Sequence, residues 1–402
     1  MEPSTEPSTE RMEALTAATA HLTPPFAVVE LDAFDRNAES MVARANGKPI
    51  RVASKSVRCR PLVDRALGRE GYAGILAFTL AEGLWLAKEH DDVVVGYPSA
   101  DLQAVRVLAE DTALAERVTI MVDSDEQLDL VRSVLAEVPA PPPIRVCLDL
   151  DASLKVGPLL HLGMRRSPVH TVSDIRELAR RVVADPRFRL VGVMAYEGQI
   201  AGLPNNTGRL PRRAAIKGFQ MLSAQELKLR RGRAVEAVRE VTALEFVNGG
   251  GTGSLESTSA EEAVTEVAAG SGLFAPTLFD GYSHFRLDPA AFFVLNVVRR
   301  PGPAHVTVLG GGWVASGPAG QDRVPTPWWP HGLSLVPEEG AGEVQTPLTG
   351  PAARTLSVGD RVWFRHAKAG ELCEHVAEVH LVSGGAVVGS APTYRGEGRV
   401  FV

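Results

Sequence analysis

An α/β fold is expected, a closed (β/α)8 barrel followed by an antiparallel β domain, and three observations carry that expectation. Short apolar runs alternate with helix-period segments from Pro25 onward. Eight such runs span a length close to the roughly 250 residues of a closed eight-stranded barrel. After Ala290 the alternation gives way to strand runs separated by Gly and Pro clusters, the texture of antiparallel β structure. A chain of 402 residues also exceeds what one core usually organises, which favours a barrel-sized domain with a smaller companion, expected at residues 23–289 and 290–402.

The opening residues 1–22 begin with a tandem Pro-Ser-Thr-Glu repeat and lack both a basic start and a long apolar run, so a disordered tail is expected there rather than a signal peptide. The apolar runs follow at residues 26–29, 50–53, 74–78, 93–96, 118–122, 144–150, 190–196 and 246–248, with a ninth, short run before Gly270. Parallel strands need crossovers of about a dozen residues, which the intervening helix-period segments supply. Ser124 with Gln127 reads as a capping box, and Ser173 with Glu177 as a second helix start. Residues 212–244 form a long proline-free helical stretch whose Lys228, Arg230, Arg231 and Arg233 read as a solvated face. A doubly wound open sheet is the alternative architecture. In the second domain the strand runs are FFVLNVV, HVTVL, DRVWF, VAEVHLV and RVFV, and residues 317–351 read as a long loop carrying Trp328 and Trp329.

Composition narrows the function. With 42 basic against 48 acidic residues, a net charge of −6 and no basic cluster, there is no electrostatic footprint for nucleic acid or an anionic membrane. No stretch approaches the roughly 18 apolar residues that a membrane span needs. Cys59, Cys147 and Cys373, an odd number at wide spacing, offer neither a disulfide framework nor a CxxC finger, so a cytoplasmic protein acting on a small molecule is expected.

Two constellations carry chemistry. Asn248-Gly249-Gly250-Gly251-Thr252-Gly253-Ser254 directly follows a strand run. Its glycines remove Cβ atoms so that backbone N–H groups can approach an anion, and Thr252 and Ser254 add hydroxyls. A plain glycine turn is the alternative; the order fits neither GxGxxG nor GxxxxGKS. Lys55, in Arg51-Val52-Ala53-Ser54-Lys55-Ser56-Val57-Arg58, ends an early strand, with Arg51 and Arg58 near enough in sequence to lower its pKa. A strand-end lysine with a phosphate cradle is the pair that pyridoxal 5'-phosphate requires, one for its aldehyde and one for its phosphate.

The ordered set RVASKSVR, DLDASLKVG, HLGMRRSP, VMAYEGQ and NGGGTGS resembles the fold-type III pyridoxal phosphate enzymes, and within them the D-threonine aldolase and D-serine dehydratase branch, over residues 25–402. The Tyr-Gly-His-Gly stretch that follows the lysine in alanine racemases is absent. The resemblance implies a TIM-type barrel with an alanine racemase-like N-terminal domain, a homodimer, and a lyase acting on a D-configured β-hydroxy-α-amino acid by retro-aldol cleavage or deamination, with an amino acid racemase as the alternative. It makes Lys55 the imine-forming catalytic lysine and Gly250, Gly251, Thr252 and Gly253 the phosphate site. It brings Arg165 to the cofactor, with Arg166 and Lys155 competing for that place, lines the ring with Tyr196, and leaves a role for Glu266 near the pyridine nitrogen in doubt because Ala268 and Ala269 replace the expected Arg and Pro.

The branch also implies a His-x-Cys or His-x-Asp pair for a divalent metal, Zn or Mn. In Arg365-His366-Ala367-Lys368-Ala369-Gly370-Glu371-Leu372-Cys373-Glu374-His375 the histidine matches, while Lys368 stands at the second ligand position. Either Lys368 supplies positive charge itself beside a catalytic His366, or His366 and Cys373, with Glu371 and His375, form a rearranged metal site.

Overall fold

The protein is described by a computed structural model over residues 8–157 and 160–401. Eight parallel strands close a barrel: Ile50–Ala53, Tyr72–Ala77, Val93–Val95, Val118–Val122, Ile144–Asp149, Phe188–Ala195, Phe246–Gly249 and Glu266–Ala269. The eighth returns to the first through the pairs Val267↔Ile50 and Ala269↔Val52. The chain divides into two compact units that interleave along the sequence. One is built from residues up to Ser40, Ser56–Arg65 and Ser271–Val400; the other, from Met41–Lys55, Ala66–Gly270 and Phe401, contains the barrel.

One strand expected in the barrel is elsewhere. Phe26–Glu30 pairs antiparallel with Ala291–Gly302 and parallel with Glu378–Ser383, in a nine-stranded sheet of the other unit. All five of its residues are buried, so both faces are covered, and a continuous apolar run of that kind reads the same in either sheet. The short run before Gly270 takes its place as the eighth barrel strand.

Inside the barrel, Val94, Met121, Cys147, Val191, Met194 and Phe246 form a packed cluster. Gly192 makes room for it: a Cβ there would stand 2.3 Å from the Phe246 ring. Toward the strands' starting end, buried Arg51 binds Glu266 through Nε (2.7 Å) and Nη2 (2.9 Å) and reaches Asp92 through Nη1 (2.8 Å). Its guanidinium lies 5.3 Å from the Phe246 ring centre, and Asn248 donates to the same Glu266 at 2.8 Å. This clamp ties the first, seventh and eighth strands together from within.

The outer helices follow the local signals with adjustments. Asp125–Leu135 starts at Ser124, whose hydroxyl accepts the Gln127 N–H. The next cap is Thr171 rather than Ser173: Thr171 and Asp174 form a reciprocal capping box, and Val172–Val183 follows. Leu210–Arg239 runs 30 residues. Phe401 forms no strand and packs against Phe78 and Trp85.

In the other unit, the sheet runs Ser334–Leu335, Gln345–Thr349, His305–Leu309, Ala291–Gly302, Phe26–Glu30, Glu378–Ser383, Ala386–Pro392, with Arg361–Arg365 joining Ala291–Gly302 to Thr326–Trp329. Trp328 and Trp329 therefore belong to a strand that packs on this unit's own core, not to a bare loop. The expected disordered tail is also corrected. Its first seven residues lie outside the described ones, but Thr9–Ala18 is a helix capped by Ser8, with Met12 and Leu15 packed among Phe26, Val28, Phe292, Val294 and Trp363. A polar repeat masks this, because only two of the helix's residues carry the burial.

Met12 is fully enclosed in that cluster. Met12→Ala is expected to lower unfolding free energy by about 2–5 kcal/mol, read as a lower denaturant midpoint at unchanged m-value.

Candidate active site

Because all eight strands run the same way, the segments after their C-terminal ends gather at one mouth of the barrel. Lys55 follows the first strand in the single turn Ser54–Ser56, where buried Ser54 donates to the Leu76 carbonyl at 3.1 Å; the Lys55 side chain is exposed. Arg165 and Arg166 come after the fifth strand, Tyr196 directly after the sixth, and the Gly250–Ser254 turn after the seventh.

The glycine turn is held from beneath. Gly250 adopts φ +85°, a conformation that favours glycine, and a Cβ on Gly251 would stand 3.0 Å from Ala201 Cβ and 3.3 Å from the Tyr196 ring. Buried Glu197 accepts the Gly250 N–H at 3.2 Å, the Ser254 hydroxyl at 2.9 Å and the Thr258 hydroxyl. Arg231, fully enclosed, donates to Glu197 at 2.7 Å and to the Ala195 carbonyl at 3.0 Å, and pairs with Glu261 at 2.7 Å. The Gly251 N–H turns to Ser254 Oγ at 3.2 Å. Two of the four residues expected to hold a phosphate thus direct their amides inward to build the turn. The Gly253 amide makes no intramolecular hydrogen bond among the described residues, and Thr252 beside it is buried, its carbonyl accepting from Arg44 at 2.6 Å.

The expected solvated face on the long helix is therefore corrected: Arg231 is its anchor, and Arg230 donates to the Asp151 (2.6 Å) and Ser153 (2.9 Å) carbonyls. Among the three basic candidates near the ring, Lys155 is paired with Asp151 at 2.7 Å. Arg165 is exposed, and Arg166 places its guanidinium 5.7 Å from the Tyr196 ring centre and 5.5 Å from that of Tyr97. Burial pushes the Tyr196 phenol up to about 12, with Glu197 and Tyr97 adding to the rise, so it is a proton donor at neutral pH.

Arg51, expected near Lys55, instead belongs to the clamp with Glu266 and Asp92; burial disfavours its charge, and the two carboxylates outweigh that and keep it protonated. Glu266 spends both oxygens on Arg51 and Asn248, which removes it from the pyridine nitrogen. Arg58 pairs with Glu374 at 2.5 Å.

Two carboxylates were missed. Alternation from Cys147 and Met121 turns Asp149, the last residue of the fifth strand, and Asp123, just past the fourth, toward the barrel interior at its mouth. Burial pushes the Asp149 carboxyl up to about 7, with Asp123 adding to the rise and Arg166 opposing it. Asp123 is raised too, by burial against a hydrogen bond from Gln127. The Asp149 carboxylate accepts no hydrogen bond among the described residues, while its backbone carbonyl accepts the Ser167 hydroxyl at 2.6 Å. The parity of DLD after a buried run was the available signal.

The remaining expected residues lie in the other unit. His366 ends the strand region Arg361–Arg365, with both ring nitrogens buried and without hydrogen-bond partners, and Phe274 edge-on at 6.1 Å. Burial and the adjacent Arg365 guanidinium pull its pKa down to about 3, against a small opposing pull from the Ala291 backbone, so the imidazole is neutral. Arg365 itself is held by Asp280 at 2.7 and 3.0 Å. Lys368 Nζ donates to the Ser316 carbonyl at 3.2 Å. Cys373 is enclosed in the turn Glu371–Glu374, where burial holds its thiol protonated, with Cys59 as a neighbour. His375 stacks on Trp313 at 4.7 Å. Among the described residues no three His, Cys, Asp or Glu side chains converge on a metal position.

Residues 29–275 match the model of the alanine racemase N-terminal domain. A D-threonine aldolase from Arthrobacter sp is 23% identical over 300 residues, covering 73% of this chain and 72% of that one. The structure is similar to that of D-threonine aldolase from Filomicrobium marinum, with a TM-score of 0.76 and 20% identity over 95% of this chain and 97% of the other. It is also similar to D-threo-3-hydroxyaspartate dehydratase from Delftia sp. HT23, with a TM-score of 0.70 and 20% identity over 94% and 98%. A cysteine-to-alanine variant of that dehydratase in a metal-free form matches with a TM-score of 0.68, at 20% identity over 94% and 98%.

Arg231→Met would leave Glu197 and Glu261 buried without their counter-charge, and is expected to cost about 3–5 kcal/mol in denaturant unfolding. Asp149 gives the second test. The folded protein keeps its proton up to about pH 7, whereas an unfolded aspartate releases it near about 4. The group therefore subtracts stability progressively as pH rises between those values and by a constant amount above. Asp149→Asn is expected to melt higher than the parent protein at pH 8, with the gap closing by about pH 4.

Proposed function

The chain belongs to the alanine racemase N-terminal domain family, and from that premise we propose that it is a pyridoxal 5'-phosphate-dependent lyase of D-configured β-hydroxy-α-amino acids. The observation that carries the reading is the convergence at one barrel mouth of a strand-end lysine, a glycine turn whose Gly253 amide is left for an anion, and a tyrosine whose ring lies against that turn. The likeness to an aldolase and a hydroxyamino acid dehydratase supports the choice of reaction.

These residues fit the cofactor. Lys55 would take its aldehyde, Thr252 and Gly253 its phosphate, with Gly250 and Gly251 shaping the turn, and Tyr196 would flank its ring. Arg166, above Tyr196, is better placed than Arg165 to meet the ring's phenolic oxygen. The cofactor, when bound, draws electrons from the substrate's α-carbon. The chain's own groups do the rest. Glu197 and Arg231 fix the turn before binding, so no ordering remains to be done at the moment of reaction. Protonated Tyr196 donates at the mouth, and Asp149 holds or releases a proton near neutrality.

A cytoplasmic homodimer completes the proposal. Three buried free thiols suit a reducing compartment, and Met221, Leu222 and Leu229 are exposed on the long helix where a second copy could cover them. Among the described residues no helix is long and apolar enough to cross a membrane.

Lys55→Ala is expected to abolish the visible absorbance of the bound cofactor and all turnover. Incubating D-threonine, D-serine and their L forms decides the reaction: glycine plus aldehyde marks an aldolase and oxo acid plus ammonia a dehydratase. Inversion of single enantiomers without cleavage would replace the proposal with a racemase.

A further inference from the structure

Resting on the reading above for the identity of the anion, we infer that Tyr97 is a positioning residue: together with Tyr196 it clamps the Arg166 guanidinium at the barrel mouth and so decides where its N–H groups meet an oxygen of the bound cofactor. All three residues belong to the unit that contains the barrel. Arg166 is exposed, and its guanidinium carbon lies 5.5 Å from the Tyr97 ring centre and 5.7 Å from that of Tyr196. Both distances fall within the roughly 6 Å over which an aromatic face attracts a cation. Arg51 and Arg231 are held by carboxylates, whereas Arg166 forms no hydrogen bond or ion pair among the described residues. The nearby Asp149 carboxyl keeps its proton up to about pH 7 and compensates little of the charge below that. Two rings therefore hold this guanidinium in place of a counter-ion. An aromatic face attracts the charge yet takes none of the five N–H donors, which stay directed to an oxygen.

The clamp can act because the three backbones are fixed. Tyr97 follows Gly96, whose N–H donates to the Ala77 carbonyl at 2.8 Å and extends the ladder between the second and third barrel strands by one bond. Arg166 is followed by Ser167, whose hydroxyl donates to the Asp149 carbonyl at 2.6 Å and accepts the Val169 N–H at 3.1 Å. Tyr196 leaves the sixth strand directly, with its ring against the glycine turn. Its phenol registers both neighbours, Tyr97 adding to the rise in its pKa and Arg166 opposing it. What these anchors leave free is the arginine's own long stem, whose ordering costs side-chain entropy. A ring on either side removes that freedom before an anion arrives, which favours binding by preorganisation. Tyr97 is 37% exposed and so is not part of the enclosed core. Tyr196 also packs on the turn, which makes Tyr97 the ring whose removal tests the clamp by itself.

Pyridoxal 5'-phosphate binding is titrated by absorbance, without substrate, in the parent protein, in Tyr97→Leu, Tyr97→Phe and Arg166→Met, and in Tyr97→Leu combined with Arg166→Met. Tyr97→Leu is expected to weaken binding about three- to thirtyfold, while Tyr97→Phe, which keeps the ring, stays within about twofold of the parent. In the Arg166→Met background Tyr97→Leu is expected to have no further effect, because the two side chains act as one unit. A second readout needs no cofactor. The Arg166 Nε–H resonance in isotope-labelled protein, assigned by its loss in Arg166→Met, is expected to lie upfield in the ring currents of the two tyrosines and to move toward the free-arginine position in Tyr97→Leu. Parent-like affinity in Tyr97→Leu, a Tyr97→Phe as weak as Tyr97→Leu, a full Tyr97→Leu effect in the absence of Arg166, or an Nε–H resonance that Tyr97→Leu does not move would each overturn the inference. Absent cofactor absorbance in the parent protein overturns the lyase reading and the anion named here, and the resonance then still decides whether Tyr97 holds Arg166.

Discussion

A guanidinium removed from water is tolerable only where carboxylates meet it with good geometry, and the mouth of this barrel is organised around such a case. Arg231 reaches inward from the last third of a 30-residue helix to Glu197 and Glu261. Glu197, so neutralised, can then spend its remaining capacity on the Gly250 amide and two hydroxyls. Every feature of the glycine turn follows from that arrangement: which amides point in, which remain for an anion, and how near the Tyr196 ring can lie.

A second enclosed arginine does the complementary work at the strands' starting end. Arg51 gathers Glu266, Asp92 and, through Glu266, Asn248. The two clamps have the same chemistry and opposite consequences. One stiffens the barrel where nothing reacts, which frees the opposite mouth to carry groups in less comfortable states, such as a half-neutral Asp149 and a tyrosine whose proton is held well past neutrality. Structural charge is fully compensated, whereas functional charge is left partly uncompensated, and that contrast separates Glu266 from Asp149 more cleanly than their sequence surroundings do.

In the other unit, placement separates residue types that stand together in the sequence. His, Cys, Glu and His within ten residues look like a ligand set. A strand end, a turn and a stacked ring distribute them to separate environments.

Much of the architecture was legible because hydrophobic periodicity and punctuation are local. The barrel, its alternation with helices, the change of texture after Ala290, Lys55 at a strand end and the NGGGTGS turn could all be read along the chain. What was not legible depended on who lies across the fold. Phe26–Glu30 is as apolar as any barrel strand, and only its partners Ala291–Gly302 and Glu378–Ser383 assign it to the other sheet. Arg231 looks like its solvated neighbours until Glu197, 34 residues away, is brought against it. Asp149 acquires its raised pKa from burial and from Asp123, just past the end of a neighbouring strand. Sequence by itself determined the elements and the chemistry they could carry; tertiary structure decided which charges are compensated, because compensation is set by distance in space and by exclusion of water, and neither is encoded in spacing along the chain.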